Sequence, residues 1–363
     1  MNTPLPPGAP RRTTGPAVRQ GLAVGGFLGF LVVVPALLGP YYAGLVARAL
    51  VLAVAGLGLN VLHLTGLVSF GHATFYGLGA YAGGFLYSFG TLTSFEAYLA
   101  SGLLLVAAVA APVGWVAVRA RRGYFSILTL VLTQTVHALF TSGIVLRPFG
   151  GTGRGLFLMG SGGMYIPRFH LLGRDLPWPH YHTVLYYVVA AAFVGTLALL
   201  GLVTNSPFGQ ALRAIGQNEA RAACIGIPVH RFRWYAFILS AVLTGLAGGL
   251  AGQLDNQVTP DQLHWMLSVQ LVLVTVLGGL RQFWGPVAGA LAWVAIQEAA
   301  LRTTVFRGVA FGTTLVLLVL FMPGGFTGSL ARRWARRQRS DGSHSIRPAG
   351  STPAAGTSTS CGT

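Results

Sequence analysis

The stretch from Thr204 to Trp234 reads TNSPFGQALRAIGQNEARAACIGIPVHRFRW and separates two long apolar runs. From Pro207 to Cys224 it contains good helix formers, and its apolar residues recur at a helical spacing. This predicts one short amphipathic helix. Gly226 and Pro228 are expected to end it, because glycine tolerates a left-handed cap and proline cannot continue a helix. Such a helix suits docking in a groove of another protein, and the alternative is a solvated connector.

The composition around this stretch is that of a membrane protein. Of the 363 residues, 53% are hydrophobic and 9% are charged, and the mean hydropathy is +0.65. Apolar runs of about 17–25 residues cross a bilayer as helices, because every backbone group must be bonded internally there. The sequence therefore predicts an all-α, polytopic transmembrane helix bundle. About ten spans are expected, at 22–39, 45–63, 67–89, 99–118, 124–144, 183–203, 235–252, 265–280, 285–300 and 308–323; those near 265–300 are short enough to be broken or re-entrant.

The distribution of arginine predicts how the chain is oriented. The net charge of +17 does not indicate nucleic acid as a partner, because the arginines lie in loops and tails between apolar runs. By the positive-inside rule the central loop and both termini are expected in the cytoplasm. Residues 1–20 are expected to form a disordered basic leader, 21–325 the membrane domain, and 326–363 a basic and then low-complexity disordered tail.

The sequence offers no set of residues for catalysis or metal binding. All basic residues are arginine, so a phosphate-binding loop with its lysine is excluded. The cysteines Cys224 and Cys361 lie far apart, and His180 and His182 lack a third ligand beside them. We expect a chain that is not itself an enzyme and holds no metal or cofactor; any ATP it uses is bound by another subunit.

Several polar side chains interrupt the apolar spans. At membrane depth they must face protein or a water-filled path, because exposure to lipid is costly. The residues expected to line such a path are Asn60, Ser69, His72, Gln134 and Gln270. For His72 and Gln134 the alternative is a hydrogen bond to a neighbouring helix that fixes packing.

Two spacings predict particular contacts between or within helices. Glycine pairs four residues apart, such as Gly245 and Gly249, predict close approach of helix backbones. Glu298 and Arg302 are also four residues apart, which predicts an ion pair on one helix.

Six stretches together resemble a known family. They are GLVSFGHATFYGLGAYAGGFL (Gly66–Leu86), GYFSILTLVLTQ (Gly123–Gln134), GGTGRGL (Gly150–Leu156), SPFGQALRAIGQNEARAACIGIPVHRFRWYAFILSAVLTGLAGGL (Ser206–Leu250), VLGGLRQFWGPVAGA (Val276–Ala290) and FMPGGF (Phe321–Phe326). In this order they resemble the inner-membrane permease subunits of branched-chain amino acid ABC importers, of the LivH/LivM type and closer to LivM. The resemblance covers roughly Gly44–Phe326.

The resemblance implies one half of a translocation pathway in a bacterial inner membrane. Its partners would be a second, LivH-like permease, two ATP-binding subunits that bind ATP and Mg²⁺, a substrate-binding protein and membrane lipid. The stretch at about 204–234 then resembles the coupling loop that contacts the ATPase. Its implied coupling residues are Pro207, Gly209, Leu212, Arg213, Glu219, Ala220 and Gly226.

The exact substrate stays open at this point. Arg154 and Gln270 depart from residues that many relatives have, so a permease for urea or short amides is the nearest alternative. A polytopic membrane enzyme would need an acid–base or metal constellation, and an ion-driven carrier would need buried acids. Neither is supported by the scattered acidic residues.

Overall fold

Helices form most of the described part of the chain in this computed structural model, which describes residues 15–88, 94–142, 163–166, 178–279, 282–303 and 312–313. The helices are α1 (Gly15–Leu64), α2 (His72–Ser88), α3 (Phe95–Ala117), α4 (Arg122–Thr141), α5 (Trp178–Asn205), α6 (Pro207–Gln217), α7 (Glu219–Cys224), α8 (Val229–Asp255), α9 (Trp265–Gly278) and α10 (Gly285–Thr303). Two short strands, β1 (Met164–Tyr165) and β2 (Gln257–Val258), pair antiparallel. The predicted all-α bundle is confirmed.

Helix α8 is the centre of the bundle and packs against α1, α2 and α3. Glycine makes this packing close. A Cβ atom at Gly248 would overlap the carbonyl oxygen of Tyr76 in α2, and one at Gly79 would overlap the carbonyl oxygen of Gly245. The backbones therefore meet where the small residues lie, as the glycine spacing predicted.

The two ends of α8 define the two ends of the bundle. Its first turn lies beside α7, and its last residue precedes β2. We call these the loop end, which carries α6 and α7, and the far end, which carries the β1–β2 pair.

Helix α1 contains a sharp bend at Gly39. The backbone angles there are φ 77° and ψ 169°, a conformation that only glycine adopts readily, and Pro35 and Pro40 flank it. The bend falls at the last residue of the first predicted span, 22–39. The helix itself begins at Gly15, so the last six residues of the predicted disordered leader are helical; residues 1–14 lie outside the described residues.

Helix α2 begins at His72, five residues later than the predicted span. The preceding segment is not helical, and its backbone groups are bonded by side chains of α4. Thr129 Oγ1 accepts from the Phe70 amide at 3.2 Å, and Ser126 Oγ donates to the Val68 carbonyl at 2.6 Å. Irregular backbone inside a membrane bundle requires such partners.

Helix α9 is the shortest of the apolar helices that were predicted to span. It has 14 residues and follows a 3-10 turn, Pro260–Leu263, that packs on α2. The Ser268 hydroxyl of α9 accepts from the Ala73 amide of α2 at 2.8 Å. About 20 residues are needed to cross a bilayer as a helix, so α9 alone is too short.

The predicted count of about ten spans is not confirmed. In the described part of the chain, five helical segments are long and apolar enough to cross a membrane: 39–64, 95–117, 123–141, 181–205 and 229–255. The predicted span at 308–323 lies outside the described residues except for 312–313. The whole tail and most of the residues between the predicted spans 124–144 and 183–203 also lie outside them.

Candidate functional site

Helix α6 begins with a well-formed cap. Ser206 precedes Pro207, which occupies the first helical position, where its missing amide hydrogen costs nothing. The Ser206 hydroxyl accepts from the Gly209 amide at 3.4 Å. A side chain at Gly209 would overlap the carbonyl oxygen of Val203, so this glycine allows the tight turn between α5 and α6.

The apolar face of α6 packs against the protein itself. Leu212 and Ile215 are fully buried, and the ring of Phe208 stacks on Phe232 of α8 with centroids 5.5 Å apart. A Cβ atom at Gly216 would overlap the carbonyl oxygen of Leu64, so α6 rests directly on the end of α1. The apolar stripe is therefore covered by the protein itself, so the predicted docking could use only the opposite face.

The exposed face of α6 is polar. It carries Gln210, Arg213 and Gln217. The Arg213 guanidinium donates to the Thr204 carbonyl, which holds this side chain over the end of α5.

The single helix predicted from Pro207 to Cys224 is wrong, because the helix breaks at Asn218. Its backbone is extended, with φ −155° and ψ 108°, and its side-chain oxygen accepts from the Arg221 amide at 3.0 Å. Asparagine caps a helix readily because this bond satisfies an amide that has no partner in the first turn. The signal in the sequence was Asn218 followed by Glu219, a cap residue followed by an acid.

Helix α7 is fixed to α8 by a two-point ion pair. Arg233 donates from both terminal nitrogens to the two carboxylate oxygens of Glu219, each at 2.7 Å. The Arg233 side chain is 5% exposed and that of Glu219 is 48% exposed. Paired, charge-assisted bonds of this geometry are strong and directional. Sequence reasoning singled out Glu219 but not its partner Arg233.

The end of α7 follows the predicted pattern. Gly226 has φ 86°, its amide donates to the Ala223 carbonyl at 3.0 Å, and the Ile227 amide donates to the Ala222 carbonyl at 3.2 Å. These bonds satisfy the last carbonyls of the helix. The predicted stop at Gly226 and Pro228 is confirmed. Ala220 of α7 and Ile225, the residue that follows the helix, are exposed.

A groove of about 510 Å³ lies beside α7. Its ionisable lining residues are Arg119, Arg121, Glu219, His230 and Arg233. The wall is ordered by aromatic contacts: Arg119 lies over the Trp115 ring at 5.2 Å, and a ring nitrogen of His230 is 3.2 Å from the Trp115 carbonyl oxygen. The groove is thus mainly cationic.

The five residues predicted to line a path are spread over four elements: α1, the start of α2, α4 and α9. Ser69 and His72 are together at the start of α2, where His72 Nε2 is 2.7 Å from the Ser240 hydroxyl of α8. Asn60 in α1 and Gln134 in α4 each have a buried amide oxygen without a hydrogen bond in the described part of the structure. Gln270 lines a separate cavity at the far end. A role in a path stays a prediction for all five.

The His72 contact is the bond between helices that was considered as its alternative role. It joins α2 to the central helix at full burial. No group of three or more His, Cys, Asp or Glu side chains placed to hold a metal occurs within the described ranges.

A bundle of long apolar helices, with a capped polar surface of short helices at one end, defines a multi-pass α-helical membrane protein. Within that class, the chain belongs to the family described as branched-chain amino acid transport system / permease component, whose model matches residues 41–322. The resemblance drawn from the sequence motifs is confirmed, and the chain is a transport permease subunit.

Individual relatives agree with this family. The chain is 24% identical over 325 residues to the high-affinity branched-chain amino acid transport system permease protein LivM of Escherichia coli (strain K12), covering 86% of this chain and 76% of that protein. It is 30% identical over 139 residues to LivH of the same organism, covering 38% of this chain and 44% of that protein. It is 32% identical over 155 residues to a probable LivH of Methanocaldococcus jannaschii, covering 38% of this chain and 47% of that protein. No solved structure matches this chain.

Proposed function

We propose that this chain forms half of the translocation pathway of an ATP-driven importer for branched-chain amino acids. It would lie in a bacterial inner membrane with both termini in the cytoplasm. A second, LivH-like permease would complete the pathway, two ATP-binding subunits would bind ATP and Mg²⁺, and a binding protein would deliver the substrate. The long match to LivM supports the substrate class, and the absence of lysine, hence of a phosphate-binding loop, supports an ATPase on another chain.

In this proposal the loop end receives the movement of the ATP-binding subunits. The observation that carries it is the ion pair between exposed Glu219 and buried Arg233, with two bonds of 2.7 Å. Because Arg233 lies in the first turns of α8, a force on α7 is passed to the central helix rather than absorbed by bending of a loop.

The chemistry of the contact follows from what the loop end exposes. Docking through the apolar stripe of α6 is excluded, since Leu212 and Ile215 are buried. The remaining surface combines the small apolar face of α7, including Ala220, with the cationic groove beside it. We therefore expect the ATP-binding subunit to contribute acidic side chains or free carbonyl groups to this groove.

The test is to reverse the charge of Glu219. Glu219→Arg places two guanidinium groups together, so α7 should detach from α8 and uptake of leucine should be abolished while the protein still inserts in the membrane. The double variant Glu219→Arg/Arg233→Glu restores the pair with exchanged positions and should recover a substantial part of uptake. Glu96→Arg, on the exposed first turn of α3, is the charge-reversal control. Normal uptake by Glu219→Arg would rule out the coupling role.

The substrate class is tested separately on the binding protein. The cognate binding protein is purified, and its melting temperature is measured with leucine, isoleucine or valine and with urea or acetamide, since a ligand that binds only the folded state raises that temperature. We expect a shift with the amino acids. A shift with urea or acetamide alone would replace this substrate class by the alternative one.

A further inference from the structure

A polar cavity lies at the far end of the bundle and is lined by residues of α1, α2, α8, α9 and α10 and by Gln257 of β2. Its volume is about 370 Å³, which falls in the range of roughly 300–1,000 Å³ for sites that take small molecules. Its polar lining residues include Arg48, Asp255, Gln270, Gln297 and Glu298. It is separate from the groove at the loop end and shares no lining residue with it.

The cationic group of the cavity is Arg48. One of its terminal nitrogens donates to Asp255 Oδ1 at 2.8 Å, and its side chain is 64% exposed. A guanidinium group carries five hydrogen atoms that it can donate in a planar fork. The single bond to Asp255 therefore leaves Arg48 able to bind a carboxylate from solution.

The acidic group that can face a ligand is Glu298. Tyr41 donates to its Oε1 at 2.5 Å, and Arg302 Nε donates to the same oxygen at 2.7 Å. The predicted pair of Glu298 with Arg302 is thus confirmed. Both bonds hold the side chain in place through one oxygen, and Oε2 receives no hydrogen bond from the described residues.

Apart from Tyr76 and Gln257, the remaining wall of the cavity is aliphatic. Val51 and Leu52 of α1, Leu267 of α9 and Val294 of α10 contribute to it. The cavity therefore combines one cation, two anions and an apolar wall. Each charge already has a partner of opposite sign, so the site is suited to a ligand with no net charge but with both signs present.

We infer that this cavity binds a free α-amino acid with a branched aliphatic side chain. The ligand carboxylate lies on Arg48, its ammonium group on Glu298, and its side chain on the aliphatic wall. This inference rests on the proposed function and deepens it, because it gives the permease itself a substrate site. The amides of Gln270 and Gln297 can bond the remaining polar atoms of the ligand.

The same chemistry occurs in a second source, the headgroup of a zwitterionic lipid. Phosphatidylethanolamine also carries an ammonium group next to an anion. The two sources differ in the ligand side chain, which the aliphatic wall should select, and in the phosphate, which is larger than a carboxylate. Probes that carry only one of these features separate the two.

The experiment uses the full-length permease with its partner subunits in detergent, without the binding protein. Thermal unfolding is followed with L-leucine, isocaproate (no ammonium group), isopentylamine (no carboxylate) and glycerophosphoethanolamine (the lipid headgroup). We expect L-leucine alone to raise the unfolding temperature. Arg48→Gln and Glu298→Gln should raise the half-maximal leucine concentration by roughly tenfold or more, the effect of losing a hydrogen bond to a charged group. Glu96→Gln removes a carboxylate outside the cavity and should leave it unchanged.

Gln270→Leu keeps the test valid if the charge variants do not fold, since it removes a polar contact without uncovering a charge. It should weaken leucine binding several-fold. Stabilisation by glycerophosphoethanolamine alone would overturn the inference. The inference would also fail if the cavity variants had the same half-maximal leucine concentration as Glu96→Gln. Leucine uptake by the complete importer distinguishes failure of this site from failure of the proposed function. If the cavity variants take up leucine as the wild type does, only this site is overturned. If the wild-type importer takes up no leucine, the proposed substrate is overturned as well.

Discussion

Single glycines set the distance between the central helices. Gly248 of α8 lies against the Tyr76 carbonyl of α2, and there is no room there for even one carbon atom. Gly195 of α5 provides the contrast, because nothing lies within 4 Å of where its side chain would be. The same residue type thus has a packing role at one position and none at the other.

Gly248→Val is therefore expected to destabilise the bundle, and Gly195→Val is the matched control. Overpacking of a close contact costs about 1–3 kcal/mol, and more where the neighbour is backbone that cannot move aside. The unfolding temperature in mild detergent and the monodisperse fraction on size exclusion are the measurements. Equal stability of the two variants would contradict the close approach of α2 and α8.

The break between α6 and α7 is the feature that gives the loop end its shape. Asn218 ends one helix and caps the next, so Glu219 turns towards Arg233. Without the break, the helical repeat would carry Glu219 around the axis of α6 and away from its partner. The position of an ion pair is thus decided by an uncharged residue beside it.

Asn218→Ala should weaken coupling without preventing assembly. Loss of a cap costs about 0.5–2 kcal/mol and favours one continuous helix over two. We expect reduced uptake with the ATP-binding subunits still co-purifying, and near-normal uptake for Asn218→Asp, which also caps. Gln217→Ala, an exposed neighbour without a capping bond, serves as the control. If Asn218→Ala transports like Gln217→Ala, the break has no role in coupling.

At the same scale, the sequence predicted the kinds of element better than their ends. The stop at Gly226 was predictable because glycine readily takes a positive φ and the proline two residues later cannot continue the helix. The break at Asn218 was not, because the helix formers on both sides outweigh one polar residue in a periodic pattern. The start of α2 was placed too early for a different reason: residues 67–71 are apolar enough to join a span, but their backbone is bonded by the side chains of Ser126 and Thr129 instead.

The residues of the two proposed sites show the same limit across the molecule. Motifs identified Glu219, but its partner Arg233 is 14 positions away and became evident only through the fold. The cavity at the far end brings together residues of five helices, from Leu45 to Leu301. No spacing along the chain predicts that Arg48, Asp255 and Glu298 share one wall, although Gln270 had been singled out as a polar residue within a span.

The orientation of the whole molecule has a direct test in Cys224. This residue ends α7, is exposed, and belongs to the surface expected to face the cytoplasm. In a Cys361→Ser background, a membrane-impermeant maleimide should label Cys224 in inverted vesicles and not in intact cells. A Cys224→Ser/Cys361→Ser variant gives the background signal. Labelling in intact cells would invert the topology and remove the loop end from the reach of any cytoplasmic ATPase.

Helix α8 carries Arg233 near one end and Asp255 at the other, within 27 residues. At a rise of about 1.5 Å per residue it is a rod roughly 40 Å long. The directions in which its two ends point their side chains around the helix axis are therefore coupled. Inserting one amino acid midway would rotate the two ends by about 100° relative to each other. Under the proposed function, the register of this helix, rather than its length, fixes how the end that meets the ATPase is oriented relative to the end that lines the inferred amino acid site.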